Sequence, residues 1–195
     1  MTHEIVILGG GTGGTLTANR LRAAYTPEQA HITVVDQDDH HIYQPGLLFI
    51  PFGLAHQQEI VRPRQHQLHK DIEFVQKGID RVDMDRDTVV LEDGQELSYD
   101  VLVIATGATL ALDETEGLTG PGWNEKVFTF YDLAGATGLE KALADFEGGE
   151  LLVNVVDMPI KCPVAPLEFC FLADWYFTER GSRDKVNITY TTPLD

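Results

Sequence analysis

Two turns of this chain carry residues suited to ligand binding or to reaction, and each follows an apolar run that is typical of a β-strand. Residues 9–14 read Gly-Gly-Gly-Thr-Gly-Gly, and glycines leave a backbone open to close approach by a ligand. Residues 157–166 read Asp-Met-Pro-Ile-Lys-Cys-Pro-Val-Ala-Pro and contain no glycine. The first turn is therefore typical of nucleotide binding, whereas the second turn offers the thiol of Cys162.

The glycines of the first turn have the spacing Gly9-x-Gly11-x-x-Gly14. This spacing permits a tight turn, close approach of the backbone to a pyrophosphate, and close contact between strand and helix. The helix that follows would direct free N–H groups and the positive end of its dipole at the phosphates. Asp36 ends the next strand-like run, where a carboxylate can accept hydrogen bonds from ribose hydroxyls. The predicted cofactor-binding residues here are Gly9, Gly10, Gly11, Thr12, Gly13, Gly14 and Asp36, and a merely structural turn is the alternative.

The second turn places Cys162 at the switch point where doubly wound folds bind ligands. Pro163 or Pro166 can occupy the first turn of the next helix, since a proline there loses no intrahelical hydrogen bond. Cys162 would then lie at or just before a helix N-terminus and beside Lys161, and both features favour the reactive thiolate. We predict Cys162 as the catalytic residue, and the alternative is a small buried residue that caps a sheet. Because pyrophosphate could not approach this glycine-free turn closely, we expect no dinucleotide to bind there.

The second cysteine and the histidines are not predicted to take part in catalysis or metal binding. Cys170 lies between Phe169 and Phe171 in a predicted helix, so we predict a core thiol rather than a redox partner of Cys162. The histidines between residues 40 and 69 fit no compact zinc pattern, and no metal site is predicted. Two cysteines are also too few for a disulfide framework.

The apolar runs and their spacing predict an α/β fold. Strand-like runs occupy residues 4–8, 31–36, 71–76, 101–104, 151–156 and 185–190, and helical spacing occupies residues 15–25, 131–146 and 165–179. The short pieces within residues 79–98 predict an antiparallel meander. The fold class is therefore a Rossmann-like domain with a meander, followed by the first βαβ unit of a second Rossmann-like domain. We place the first domain at residues 1–114 and the start of the second, with the redox cysteine, at residues 115–195.

Charge and hydropathy limit the kinds of partner and the cellular location that we expect for this chain. The 195 residues include 14 Lys and Arg against 31 Asp and Glu, which gives a formal net charge of −17 and argues against nucleic acid as a partner. The sequence contains neither an apolar run of membrane-spanning length nor a signal peptide, so the expected location is the cytoplasm.

A further turn points to the kind of cofactor. Ala105-Thr-Gly107 follows an apolar strand with a meander before it, and this combination resembles the flavoproteins with two dinucleotide-binding domains. The resemblance implies that the first domain binds FAD, with Ala105, Thr106 and Gly107 near it. It also implies that Gly78 and Ile79 touch the adenine through backbone groups, although a plain strand residue is an equal alternative for Ile79.

Three segments around the second turn resemble the sulfide:quinone oxidoreductase family. They are residues 154–159 (Asn-Val-Val-Asp-Met-Pro), residues 161–166 (Lys-Cys-Pro-Val-Ala-Pro) and residues 173–177 (Ala-Asp-Trp-Tyr-Phe). With the first turn and Ala105-Thr-Gly107, the similarity extends over essentially the whole chain. It implies that Cys162 takes up sulfide as a persulfide, that two electrons pass to FAD, and that a membrane quinone reoxidises the flavin.

The same resemblance implies what accompanies this chain. The family's partner cysteine, its second FAD segment and the amphipathic helices that bind the membrane surface lie in a C-terminal half, which we expect this chain to lack. We therefore expect the isolated 195 residues to be inactive and to bind FAD poorly, and the full-length protein to be peripheral to the membrane, with a homo-oligomer possible. Residues 123–125 carry no cysteine that could tether the flavin, so the FAD is expected to be non-covalent.

Other functions remain open on the sequence alone. A type II NADH dehydrogenase would share the first domain but needs a working NADH turn in the second. A sulfide dehydrogenase that passes electrons to a cytochrome subunit is a further alternative. The non-enzyme alternative is a flavin-binding or redox-sensing fragment that retains the fold.

Overall fold

Eleven strands and four helices follow one another along residues 2–194, which is the part of the chain that this computed structural model describes. The strands are β1 (His3–Leu8), β2 (Ala30–Asp36), β3 (His40–Ile42), β4 (Val61–Pro63), β5 (Glu73–Gln76), β6 (Ile79–Asp83), β7 (Thr88–Leu91), β8 (Glu96–Ser98), β9 (Val101–Ile104), β10 (Gly149–Asn154) and β11 (Val186–Thr191). The helices are α1 (Thr12–Ala24), α2 (Gln57–Ile60), α3 (Leu133–Ala144) and α4 (Ala165–Glu179).

These elements form two compact units. The first unit contains the chain up to Tyr43 and again Val61–Ala108, and the second contains Gln44–Ile60 together with the chain from Thr109 onward. Both units have a parallel strand pair joined by a helix, so the predicted α/β fold class is confirmed. The functional boundary between residues 114 and 115 stays a prediction.

A four-stranded parallel sheet in the order β5-β2-β1-β9 forms the centre of the first unit. Its strands are rich in β-branched residues, which favour extended backbone. Helix α1 covers one face of the sheet, where Ala18 packs against Ile7. Because successive side chains point to opposite faces, Leu8 and Val35 pack instead against Val89 of the meander. The predicted antiparallel meander is confirmed as the sheet β6-β7-β8.

Helix α1 begins three residues before the predicted start at residue 15. The difference arises because Gly13 and Gly14 lie inside the helix, although glycine is a poor helix former. Gly14 is buried, and a Cβ there would lie 1.8 Å from the Gly9 carbonyl oxygen. Close packing between strand and helix therefore overrides helix propensity at this turn.

The second unit is built on the parallel pair β10 and β11, with α4 in the connection. Helix α3 is capped by Asp132, whose carboxylate accepts a hydrogen bond from the Gly135 N–H at 2.7 Å. Helix α4 spans the predicted residues 165–179 and buries Phe169 and Phe177 in the core. The ring of Phe52 packs 4.9 Å from that of Phe169, which explains why residues 44–60 group with this unit. None of the helices within residues 2–194 combines the length and apolar composition that crossing a membrane requires.

Candidate functional site

The glycine-rich turn lies at the carboxyl end of β1, and two of its glycines are required by the packing of the backbone. Gly9 has a φ of +93°, in the region that favours glycine, and a Cβ there would lie 2.4 Å from the Ala105 carbonyl oxygen. Gly14 lies against Gly9 itself, as described above. The turn is therefore as tight as the glycine spacing predicts, and it places residues 105–107 directly beside it.

Two other glycines of this turn, Gly11 and Gly13, border open space instead of packed backbone. A Cβ on Gly11 would meet no atom within 4 Å, and one on Gly13 would only touch Ala105 at 3.8 Å. Gly11 is the N-cap of α1, no side chain caps the helix, and its first turn carries no acidic residue. The first N–H groups of a helix have no intrahelical partner and attract anions. This accessible helix start fits the pyrophosphate of a dinucleotide.

Asp36 lies at the carboxyl end of β2, adjacent to the same turn. Its Oδ2 accepts hydrogen bonds from the Gly10 N–H at 2.7 Å and from Arg64 Nη1 at 2.5 Å. The remaining oxygen, Oδ1, has only a weak contact of 3.5 Å with the Asp38 N–H. Asp36 is thus oriented by two donors while one carboxylate oxygen remains available to a ribose hydroxyl.

The remaining predicted cofactor residues follow neighbouring strands at the same edge. Ala105, just after β9, donates its N–H to the Leu8 carbonyl at 2.8 Å. Gly78 lies two residues beyond Gln76, which pairs with Asp36 in the register of β5 and β2. Because carboxyl ends of parallel strands meet at one edge, the candidates at the ends of four strands, β1, β2, β5 and β9, lie along the same edge of the sheet. Their role in binding FAD stays a prediction.

Cys162 lies in the loop between β10 and α4, three residues before the helix begins. It is exposed, and its φ of +50° is uncommon for a residue other than glycine. Such strain costs about 1–3 kcal/mol and clusters at functional sites. The loop is closed by the Ala165 N–H, which donates to the Cys162 carbonyl at 3.1 Å, and Pro166 lies in the first turn of α4 as predicted.

Tyr131 also contacts the Cys162 carbonyl, and the sequence did not predict this contact. Its hydroxyl donates to the Cys162 carbonyl at 3.1 Å. The Tyr131 ring stacks on Phe130 at 4.9 Å, and Phe130 stacks on Phe169 at 5.0 Å. Burial, together with the electrostatic effect of Cys162, raises the pKa of Tyr131 to about 12, so the phenol remains a donor at neutral pH. No local pattern reveals this contact, because 31 residues separate its partners.

Cys170 occupies a different environment from Cys162. It is half-buried, packs against the core of the second unit, and its Sγ–H donates to the Pro166 carbonyl of its own helix at 3.3 Å. Burial raises the pKa of the Cys170 thiol. This environment favours the neutral thiol, whereas Cys162 is open to solvent. Within residues 2–194, no group of three or more His, Cys, Asp or Glu side chains could hold a metal ion.

Known proteins resemble this chain along its whole length. The sequence profile of the family described as pyridine nucleotide-disulphide oxidoreductase matches residues 3–155. The mitochondrial sulfide:quinone oxidoreductase of Mus musculus is 28% identical over 192 residues, which cover 98% of this chain and 42% of that protein. The X-ray structure of the sulfide:quinone oxidoreductase from Aquifex aeolicus superposes with a TM-score of 0.81 at 26% identity, covering 97% of this chain and 43% of that one.

A second class of relative matches a shorter segment. A type II NADH:quinone oxidoreductase of Staphylococcus aureus is 29% identical over 119 residues, which cover 60% of this chain and 28% of that protein. The chain thus spans less than half the length of the curated relatives that it matches. The resemblance to sulfide:quinone oxidoreductases noted in the sequence is confirmed.

Proposed function

The chain belongs to the pyridine nucleotide-disulphide oxidoreductase family, and within that family we propose that it is the part of a sulfide:quinone oxidoreductase that carries the first FAD turn and a redox cysteine. The observation that carries the proposal is Cys162. An exposed thiol in a strained loop follows β10, at the position where a glycine turn would follow the strand in an NADH-binding domain.

FAD is proposed to bind non-covalently at the carboxyl edge of the first unit. The residues proposed to hold it are Gly9, Gly10, Gly11, Thr12, Gly13, Gly14, Asp36, Gly78, Ile79, Ala105, Thr106 and Gly107. The open start of α1 would hold the pyrophosphate through N–H groups, and Asp36 Oδ1 would accept from a ribose hydroxyl. When bound, FAD supplies a two-electron acceptor whose electrons can pass on to a quinone.

Cys162 is proposed to do the sulfur chemistry. Its thiolate and a hydrosulfide ion form an S–S bond, giving a Cys162 persulfide, one released proton and two electrons for the flavin. Tyr131 holds the Cys162 carbonyl and thereby the geometry of the loop. Because quinones dissolve in lipid, reoxidation places the full-length protein at a membrane surface.

A type II NADH:quinone oxidoreductase is the second candidate, because the Staphylococcus aureus relative matches 119 residues at 29% identity. The first unit suits either enzyme. The loop after β10 argues against NADH, since its residues 157–166 offer no glycine for close approach of a pyrophosphate.

The test of the proposed function is an anaerobic titration of the full-length protein with sulfide, followed by flavin absorbance. We expect the flavin to bleach on addition of sulfide and to recover when a quinone is added. A protein that binds FAD but is not bleached by sulfide would rule the proposal out. Failure of the full-length protein to bind FAD would also rule out the proposed function.

Tyr131→Phe is expected to lower the rate of flavin reduction by sulfide roughly fivefold while FAD affinity is unchanged, because one hydrogen bond is worth about 1 kcal/mol. A phenol with its pKa raised from 10 to about 12 keeps its proton at every pH below about 10. The decrease should therefore be the same across the neutral range. Stopped-flow reduction at several pH values measures it.

Tyr25→Phe is the matched control for this change, because Tyr25 is exposed and belongs to the first unit. It should leave the rate unchanged. A rate for Tyr131→Phe equal to that of the wild type would show that the bond to Cys162 does not support the reaction.

A further inference from the structure

Arg64 is buried beside the glycine-rich turn, and it is tied to the segment that follows β2. It is 5% exposed, its Nη1 donates to Asp36 at 2.5 Å, and its Nη2 donates to Asp38 Oδ1 at 3.0 Å and to the His40 carbonyl at 2.7 Å. One guanidinium thus fixes both carboxylates and one main-chain oxygen. Arg64 follows β4 and lies in a 3₁₀ turn, Arg64–Gln67, so the contact joins elements far apart in sequence.

The stem of this side chain lies directly over the second glycine. A Cβ on Gly10 would lie 2.3 Å from Arg64 Cδ and 3.0 Å from its Nη1. The Gly10 N–H donates to the same Asp36 oxygen that receives Arg64. Gly10, Asp36 and Arg64 therefore form one closed set of contacts at the edge of the proposed cofactor site.

One donor of Arg64 is left over. Its Nε–H is buried and has no hydrogen-bond partner within residues 2–194. A buried donor without an acceptor is unfavourable, and the large majority of buried polar groups in folded proteins have a hydrogen-bond partner. The ribose and phosphate oxygens of a dinucleotide are acceptors of the kind that Arg64 lacks.

The negative charges around the glycine-rich turn also indicate a role for Arg64. Asp36, Asp38 and Asp39 stand within four positions of one another, in a chain whose formal net charge is −17. These carboxylates would repel a pyrophosphate, and Arg64 pairs with two of them. Without the guanidinium, the approach of a doubly charged phosphate group to this edge would be opposed.

We propose that Arg64 is the residue that positions Asp36 for the adenosine ribose and donates to the adenosine diphosphate half of FAD. The proposal rests on the proposed function, since it assumes that FAD binds at this edge. Arg64 holds Oδ2 of Asp36 so that Oδ1 faces a ribose hydroxyl, and it offsets the negative charge beside the phosphates. It acts on the binding of the cofactor, and the sulfur chemistry is performed elsewhere.

The experiment measures FAD binding to the apo form of the full-length protein by quenching of flavin fluorescence. Arg64→Met keeps the apolar stem and removes the charge, and it should weaken FAD binding roughly 10- to 100-fold. Arg64→Lys keeps the charge but cannot contact Asp36, Asp38 and the His40 carbonyl together, so its affinity should be intermediate. Arg20→Met, at an exposed position of α1, is the matched control and should bind as the wild type does.

Two further measurements separate positioning from a merely structural role. The preference for FAD over its analogue without the adenosine 2′-hydroxyl should fall in Arg64→Met, whereas loss of fold would weaken both ligands equally. In an Asp36→Asn background, Arg64→Met should cost less than about threefold, because the two residues act together.

The outcomes distinguish the two proposals. If the wild type binds no FAD, the proposed function fails. If the wild type and Arg64→Met bind FAD equally well, the proposed role of Arg64 is wrong while the FAD site stands. The same conclusion follows if Arg64→Met weakens the binding of both ligands equally and its effect adds fully to that of Asp36→Asn. Should Arg64→Met fail to fold, Arg64→Lys carries the same test of ligand preference.

Discussion

Cys162→Ser is expected to slow sulfide-driven reduction of the flavin by more than about a thousandfold, because the hydroxyl cannot form the S–S bond of a persulfide. Serine is nearly the same size and adopts the same backbone, so FAD binding and the stability of the fold should be preserved. The measurement is stopped-flow reduction of the full-length protein by sulfide without oxygen, with FAD content checked by absorbance.

Cys170→Ser is the matched control within the same chain. Cys170 is half-buried and donates to the Pro166 carbonyl of its own helix, so its replacement should affect stability modestly and leave the rate of reduction within a few-fold of the wild type. If Cys170→Ser abolished the reaction and Cys162→Ser did not, the assignment of the redox cysteine would have to be reversed.

Gly11→Val is expected to weaken FAD binding at least about a hundredfold while the first unit still folds. A Cβ on Gly11 meets no protein atom within 4 Å, so the added side chain costs the fold little. The proposed site of the FAD pyrophosphate is the same open space at the start of α1, which the valine would fill. Fluorescence titration with FAD measures the loss, and circular dichroism confirms that the helix content is retained.

Thr17→Val, almost two turns further along α1, serves as the control and should bind FAD as the wild type does. Gly14→Ala makes the opposite comparison. Its Cβ would lie 1.8 Å from the Gly9 carbonyl oxygen, so unfolding should accompany its loss of FAD. Retention of full FAD affinity by Gly11→Val would contradict the location of the cofactor.

Features with a local pattern could be predicted from the sequence, because their causes are local. The glycine spacing and the apolar run before it determine β1, α1 and the turn between them. Helix α4 spans the predicted residues 165–179, since apolar spacing and a proline in its first turn mark its start. The strand predicted at residues 151–156 lies at Gly149–Asn154, two residues earlier in the chain.

Contacts between distant segments could not be predicted in the same way. Arg64 and Asp36 are 28 residues apart, and Tyr131 and Cys162 are 31 apart, so neither pair leaves a periodic signal in the sequence. The sequence likewise did not predict that residues 44–60 belong to the second unit. Leu48 and Phe52 pack into the core of that unit, and only the three-dimensional packing creates contacts such as that between Phe52 and Phe169.

Sulfide and NADH can be compared as electron donors to the flavin in a single experiment. The oxidised full-length protein is mixed anaerobically with sulfide or with NADH at equal concentration, and the loss of flavin absorbance is followed in each case. We predict that sulfide reduces the flavin at least about a hundredfold faster than NADH, because the loop after β10 offers a thiol and no glycine turn. Reduction by NADH as fast as by sulfide, or faster, would contradict this account.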